Sequence, residues 1–400
     1  MSNGHSIITI GSFNKRLLFP FFTGLTHVMI RIGNFILNEK EKEMHPVILN
    51  CVMFFAEFLT IILFFIELYR SKSKNKEHKK IKKKSIFKVC GLLFLISVLE
   101  YCASFALKIV RIKNSFLELI FKLIVMGLTA VLSSFMLQMK YYVHHVIGFI
   151  IILIGLLSYG LLEYKQKTLV ENKSNKQEDK ETPFIEYCIL LLIYSVSALF
   201  GNIEKYLMQV EYVSSYLVVA GEGFFGLIVS GFAFLFLNES CPQYYYLCIG
   251  SNDYWKIFLQ YFNNWRTTCG FTLYLIGVFW FDTFKMKTNQ SYTPTHRSIG
   301  DNLSGIIFWI MQLTIDWFHS DKKTTTPALV VFQGISYLMM SIGIMIFLEL
   351  VIVNLCEMNR NTVDSINKRV DKENKTMNYL EAFDSEIFEE SESNDTFEIQ

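Results

Sequence analysis

The feature that most constrains this chain is a succession of apolar runs, each about as long as a bilayer is thick. A membrane-crossing helix needs roughly 20 mostly apolar residues. Ten such runs can be counted, at about 17–37, 47–69, 89–110, 115–137, 142–162, 184–207, 212–237, 267–284, 297–318 and 328–352. The eighth and ninth are interrupted by polar residues, and the segment between them, Lys285 to His296, is short. The expected fold class is all-α integral membrane, with ten transmembrane helices. Charged residues make up only 18% of the chain, and they gather in short runs between the apolar stretches. A net charge of +2 leaves no footprint for nucleic acid, so the expected surroundings are a lipid bilayer and a small-molecule solute.

Lys15 and Arg16 precede an apolar run that starts at Leu17 and lacks a small-residue cleavage pattern. It reads as a first span, not a signal peptide. Orientation follows from the Lys/Arg bias. The loop from Arg70 to Lys88 carries ten basic residues and one acid, which places it in the cytosol. Both termini then face the cytosol too: residues 1–16 and an acidic tail, 353–400, whose composition favours disorder. On the far side lie a linker, 163–183, and a long loop, 238–266. The linker holds five Lys, which argues against this orientation, balanced by five acids. It also contains the sequon Asn172-Lys173-Ser174. Cys241 and Cys248 lie in the long loop and Cys269 just beyond it, and a disulfide among these three competes with free thiols.

Ionisable residues inside spans are costly, so each is a candidate for function. Glu57, Glu100, Glu118, Lys122, Glu222 and Asp301 fall too deep in their runs to reach water easily. Lys108, Lys205, Asp316 and Glu349 lie near run ends, where a long side chain can snorkel to the interface. Two pairs are spaced four apart, on one helical face: Glu118 with Lys122, and Arg297 with Asp301. They fall in the fourth and ninth runs, equivalent places if the chain is two inverted five-helix repeats, 17–162 and 184–352. Self-neutralising pairs in a packed bundle are the plainer alternative. Gly221, Gly223 and Gly226 in the seventh run read as a close-approach face.

Other engines are missing. The chain has no Gly-x4-Gly-Lys-Ser/Thr phosphate loop and no His-Glu-x-x-His or paired Cys-x-x-Cys metal motif. His144 and His145 are adjacent, and neighbouring helical residues point about 100° apart, which disfavours a shared ligand site. No metal or cofactor is expected. His296 and Asp301 fit a His-x4-Asp acyltransferase pattern, a short motif with no accompanying blocks.

Three segments carry a further signal: His45-Pro46 followed by Met53 to Phe58, Glu204-Lys205-Tyr206 with Val218 to Gly226, and Thr295-His296-Arg297 with Asp301. In turn they resemble the opening of span two, the span six-to-seven signature and the start of span nine of the drug/metabolite transporter superfamily, in particular the F-type branch of the nucleotide-sugar-transporter-like solute carriers (solute carrier family 35). The long Cys-bearing loop is similar to that of chloroquine-resistance-transporter-like relatives. The basic residue often found early in span four is replaced by Ile120, with Lys122 two residues on. The resemblance implies ten spans, cytosolic termini, a central cavity and alternating access, and no particular solute.

The reading from sequence is thus a non-enzymatic secondary carrier of a small metabolite, in an endomembrane such as lysosome, vacuole or Golgi. Glu118, Lys122, Arg297, Asp301, His27 and Arg31 are expected to line the substrate cavity. Glu57, Glu100 and Glu222 are expected as proton-coupling or structural carboxylates. The rivals are a non-transporting adaptor and a membrane-embedded enzyme built on His296 and Asp301. Oligomeric state is left open, a homodimer included.

Overall fold

The computed structural model describes residues 8–10, 18–38, 46–73, 83–109, 115–174, 184–239, 262, 265–318, 327–353, 362, 365 and 369. The described helices are α1 Leu18–Asn38, α2 Pro46–Phe58, α3 Ile61–Ser73, α4 Lys83–Ile109, α5 Ser115–Leu137 and α6 Val143–Ser174. They continue with α7 Phe184–Gln209, α8 Ser215–Glu239, α9 Trp265–Ser291, α10 Pro294–Phe318 and α11 Pro327–Phe347. Proline stands first in α2, α10 and α11, where its missing N–H costs nothing. Each of the ten apolar runs holds one helix, except that α2 and α3 share the second.

Six stretches are long and apolar enough to cross a membrane: Val47–Ser71, Ile86–Leu107, Val143–Leu162, Cys188–Gln209, Ser215–Ala233 and Val330–Phe347. Large apolar side chains such as Phe87, Val131, Phe135 and Leu192 stand outward, an arrangement stable in lipid and not in water. The protein is a multi-pass integral membrane protein.

Helix ends depart from the expected bounds for local reasons. α6 runs on to Ser174, so the first part of the expected linker is helical. α9 extends to Ser291, leaving only Tyr292 and Thr293 before α10. α11 stops at Phe347, short of the expected 352. There the Leu350 N–H returns to the Met345 carbonyl at 2.9 Å, with Glu349 left-handed at φ 59°. The chain then forms β2, Val351–Val353, which pairs antiparallel with β1, Ile8–Ile10.

α1 packs along α9 and α10, α6 along α11, and α8 against α2 and α4. α5 meets α6, α7 and α10, α4 also meets α7, and α2 also meets α9. Small residues permit the closest crossings. A Cβ at Gly148 of α6 would lie 2.8 Å from the Phe347 nitrogen, and one at Gly343 of α11 would lie 2.8 Å from the Gly148 carbonyl. This is the small-residue contact that lets helices approach in a membrane.

Candidate functional site

The second apolar run breaks at its centre, just after Glu57. The Thr60 N–H bonds the Glu57 carbonyl at 3.0 Å, a three-residue closure, and the Thr60 hydroxyl donates to that carbonyl at 2.7 Å. The helical ladder restarts at Ile61. Broken helices at membrane depth are tolerated only where protein or a cavity covers them. Here α8 is the cover. A Cβ at Gly223 would lie 2.2 Å from the Phe58 nitrogen, so only glycine lets α8 reach the broken turn. Gly226 lies over the Phe54 ring and Gly221 over Leu93. The close-approach reading of these glycines describes the contact.

The break delivers Glu57 to the interior, where it is buried with Glu222 of α8 and Asp282 of α9. Glu57 feels the like charges of Glu100, Asp282 and Glu222 and the opposite charge of Lys285. Lys285 Nζ lies 3.1 Å from Asp282 Oδ1, one turn away on α9. Arg297 is within electrostatic reach of Glu100. Glu57 Oε2 and Glu222 Oε1 are buried with no hydrogen-bond partner among the described residues. Unpartnered buried carboxyl oxygens are expensive, and they make these two carboxyl groups candidates for function. Glu100 is partly exposed, as is Lys285, whereas Glu57, Glu222 and Asp282 are buried. The sequence placed Glu57, Glu100 and Glu222 in separate spans, and the structure brings them together. It adds Asp282 and Lys285, which sequence reasoning left out of the site.

A second polar layer joins α7 to the α9–α10 turn. Arg297 forms an ion pair with Glu204, and the Asn289 amide donates to Glu204 at 3.2 Å and to the Gly201 carbonyl at 2.9 Å. Lys205 is buried and donates to the carbonyls of Asn289, Gln290 and Tyr292 at 2.6, 2.9 and 2.6 Å. The Asn289 and Gln290 carbonyls are among those that the end of α9 leaves without partners inside the helix, and the Tyr292 carbonyl belongs to the connection to α10. The expected snorkelling of Lys205 is therefore corrected: it is an internal helix cap. Glu349 does not simply reach for the interface either, since it lies 3.0 Å from His144 Nε2.

Of the remaining expected residues, His27 is half-buried with its ring 5.0 Å from Phe281, and Arg31 is half-buried on α1. The side chains of Glu118, Lys122 and Asp301 lie outside the described residues. Cys241 and Cys248 lie outside them too, and Cys269 is an exposed free thiol. His296 is buried, with Nδ1 2.7 Å from the Thr293 hydroxyl and its ring stacked on Tyr292.

No family model matches the chain. No curated protein matches it. Among solved structures, one described only as "Crystal structure of protein" is 14% identical, covering 85% of this chain and 100% of its own, at a TM-score of 0.49.

Proposed function

We propose that the protein is a secondary carrier of the drug/metabolite transporter type, moving a cationic solute or exchanging a solute for protons across an endomembrane. The observation that carries this reading is the carboxyl cluster of Glu57, Glu100, Glu222 and Asp282 around a broken membrane helix. Carriers commonly bind substrate and coupling ion where helices are discontinuous near the midplane. Four acids facing Lys285 cannot all stay charged in so dry a setting without a bound cation or proton. Arg297 is engaged by Glu204, which weakens the case for an anionic solute.

The proposed architecture is ten spans in two inverted halves with cytosolic termini. The helix contacts support it. Exchanging α1 with α7, α2–α3 with α8, α4 with α9, α5 with α10 and α6 with α11 maps the most extensive helix contacts onto one another, whereas the contacts of α7 with α8, α9 and α10 and of α9 with α10 have no equally extensive counterpart in the first half. The α1–α10 contact becomes α7–α5, α1–α9 becomes α7–α4, α8–α4 becomes α2–α9, and α5–α6 becomes α10–α11. The pairs α2–α8, α5–α10 and α6–α11 map onto themselves. The β1–β2 ribbon supports placing the segments before α1 and after α11 on one side.

The enzyme reading is weaker because His296 has Thr293 as the partner of its Nδ1, the atom an orienting acid would hold. The deciding experiment is uptake of a mixed metabolite pool into proteoliposomes, read by mass spectrometry with and without a pH gradient. Accumulation of a cation or of a gradient-driven solute, lost in Glu57→Gln and Glu222→Gln, is the expected result. No uptake under any gradient by folded protein overturns the carrier in favour of an adaptor.

A further inference from the structure

His144 and His145 open α6, and the expectation that adjacent histidines diverge is not met. Their ring centroids lie 4.0 Å apart. The reason is the side-chain conformation. Helix geometry sets the two Cβ directions about 100° apart, and the His145 ring swings back beyond its Cβ. The Tyr142 N–H donates to His145 Nδ1 at 3.3 Å, and the His145 N–H returns to the Tyr142 carbonyl at 3.0 Å, folding the ring back over the turn. Phe347 and His296 then flank the His145 ring edge-on, at 4.9 and 5.5 Å. Glu349, leaving the end of α11 in its left-handed conformation, brings a carboxylate oxygen to 3.0 Å from His144 Nε2. One donor atom from each of His144, His145 and Glu349 lies within 4.8 Å of the others.

We propose that His144, His145 and Glu349 form a Zn2+ site that ties the first turn of α6 to the end of α11. Two imidazoles and one carboxylate are a donor set that zinc accepts, and calcium and magnesium prefer oxygen alone. Zinc holds such ligands at about 2.0–2.2 Å, so donors in a tetrahedral site stand roughly 3.5 Å apart. The His144–Glu349 edge is already that short, and a small inward movement of His145 completes the triangle. The long contact from Tyr142 to His145 is weak enough to yield. Both histidines are buried, and His144 Nδ1 has no hydrogen-bond partner among the described residues. A simple bond between helix ends would account for His144 and Glu349. It would not account for a second imidazole turned to the same point. His296 closes the far wall, with its Nδ1 engaged by Thr293. The Glu349 side chain, 16% exposed, marks the side from which the ion arrives, and the fourth position is left to water. This site is separate from the carboxyl cluster and does not rest on the carrier reading.

The test uses full-length protein in detergent, stripped with a chelator, reloaded with Zn2+ and passed through gel filtration. The expected result is about one zinc retained per chain, with a shell of histidine nitrogen and oxygen by X-ray absorption. Glu349→Gln and His144→Asn should each weaken zinc binding at least tenfold, with each variant's folding checked by its melting curve without metal. No zinc on folded protein, a shell containing sulfur, or undiminished affinity in either folded variant overturns the proposal. Should a variant fail to fold, the identity of the shell in the unaltered protein decides alone.

Discussion

Lys205 on α7 donates to the carbonyl of Asn289 at 2.6 Å, and the Asn289 amide donates back to α7 at the Gly201 carbonyl. This reciprocal clasp fixes where α9 ends and where α10 begins. Replacing Lys205 with Met keeps the length of the side chain and removes the cap. Three carbonyls lose their donor, and the buried one, that of Asn289, costs about 1–3 kcal/mol when orphaned. The variant should melt several degrees below the parent in detergent, and an unchanged melting temperature would refute the capping role.

Arg297 and Glu204 should behave as a unit. Removing one member of a buried pair leaves an uncompensated charge, at a cost of about 3–5 kcal/mol. Arg297→Met and Glu204→Gln should each destabilise strongly, and the double variant should be less unstable than the sum of the two. Strict additivity in the double-mutant cycle would show that the pair does not form.

Gly223 and Gly231 offer an internal contrast within one helix. A methyl group at Gly223 meets the Phe58 nitrogen and Phe54 carbonyl, whereas nothing lies within 4 Å of a Cβ at Gly231. Gly223→Ala should separate α8 from the broken turn and destabilise by about 1–3 kcal/mol, as overpacking does. Gly231→Ala should stabilise slightly, by up to about 1 kcal/mol, from helix propensity alone. Melting curves of the two variants side by side check the sign of both effects.

The carboxyl cluster makes the opposite prediction from the clasp. Glu57→Gln and Glu222→Gln replace buried acids by neutral groups of the same shape. Folding stability should hold or rise, because a costly buried group is relieved. Uptake, where coupled, should fall at least tenfold. Loss of stability with uptake preserved would make these residues structural.

Much of the fold was legible because a bilayer demands about 20 apolar residues per crossing, and that demand prints itself along the chain. The ten runs located the helices, and Glu57, Glu100 and Glu222 stood out as charges in the wrong medium. Contacts between distant runs were not legible. Lys205 read as a snorkelling residue because its distance from a run end is visible in sequence, while the end of α9 packed against it is not. Asp282 stands alone as an acid in its run, and its place facing Glu57 depends on how α9 crosses α2. The adjacent histidines misled because helix geometry fixes where Cβ points, not where a folded-back imidazole ends. The break at Leu59 and Thr60 carries no proline or glycine, so nothing in the composition announced it.

The β1–β2 ribbon makes the helical body a closed circuit. Ile8 pairs with Val353 and Ile10 with Val351, so a pull on one strand is felt at the other end of the helical body. A three-residue strand holds no structure alone, and deleting either one should release both. A short peptide bridge between β1 and β2, with the chain reopened between α8 and α9, would preserve the described helix contacts while moving the ends away from the ribbon.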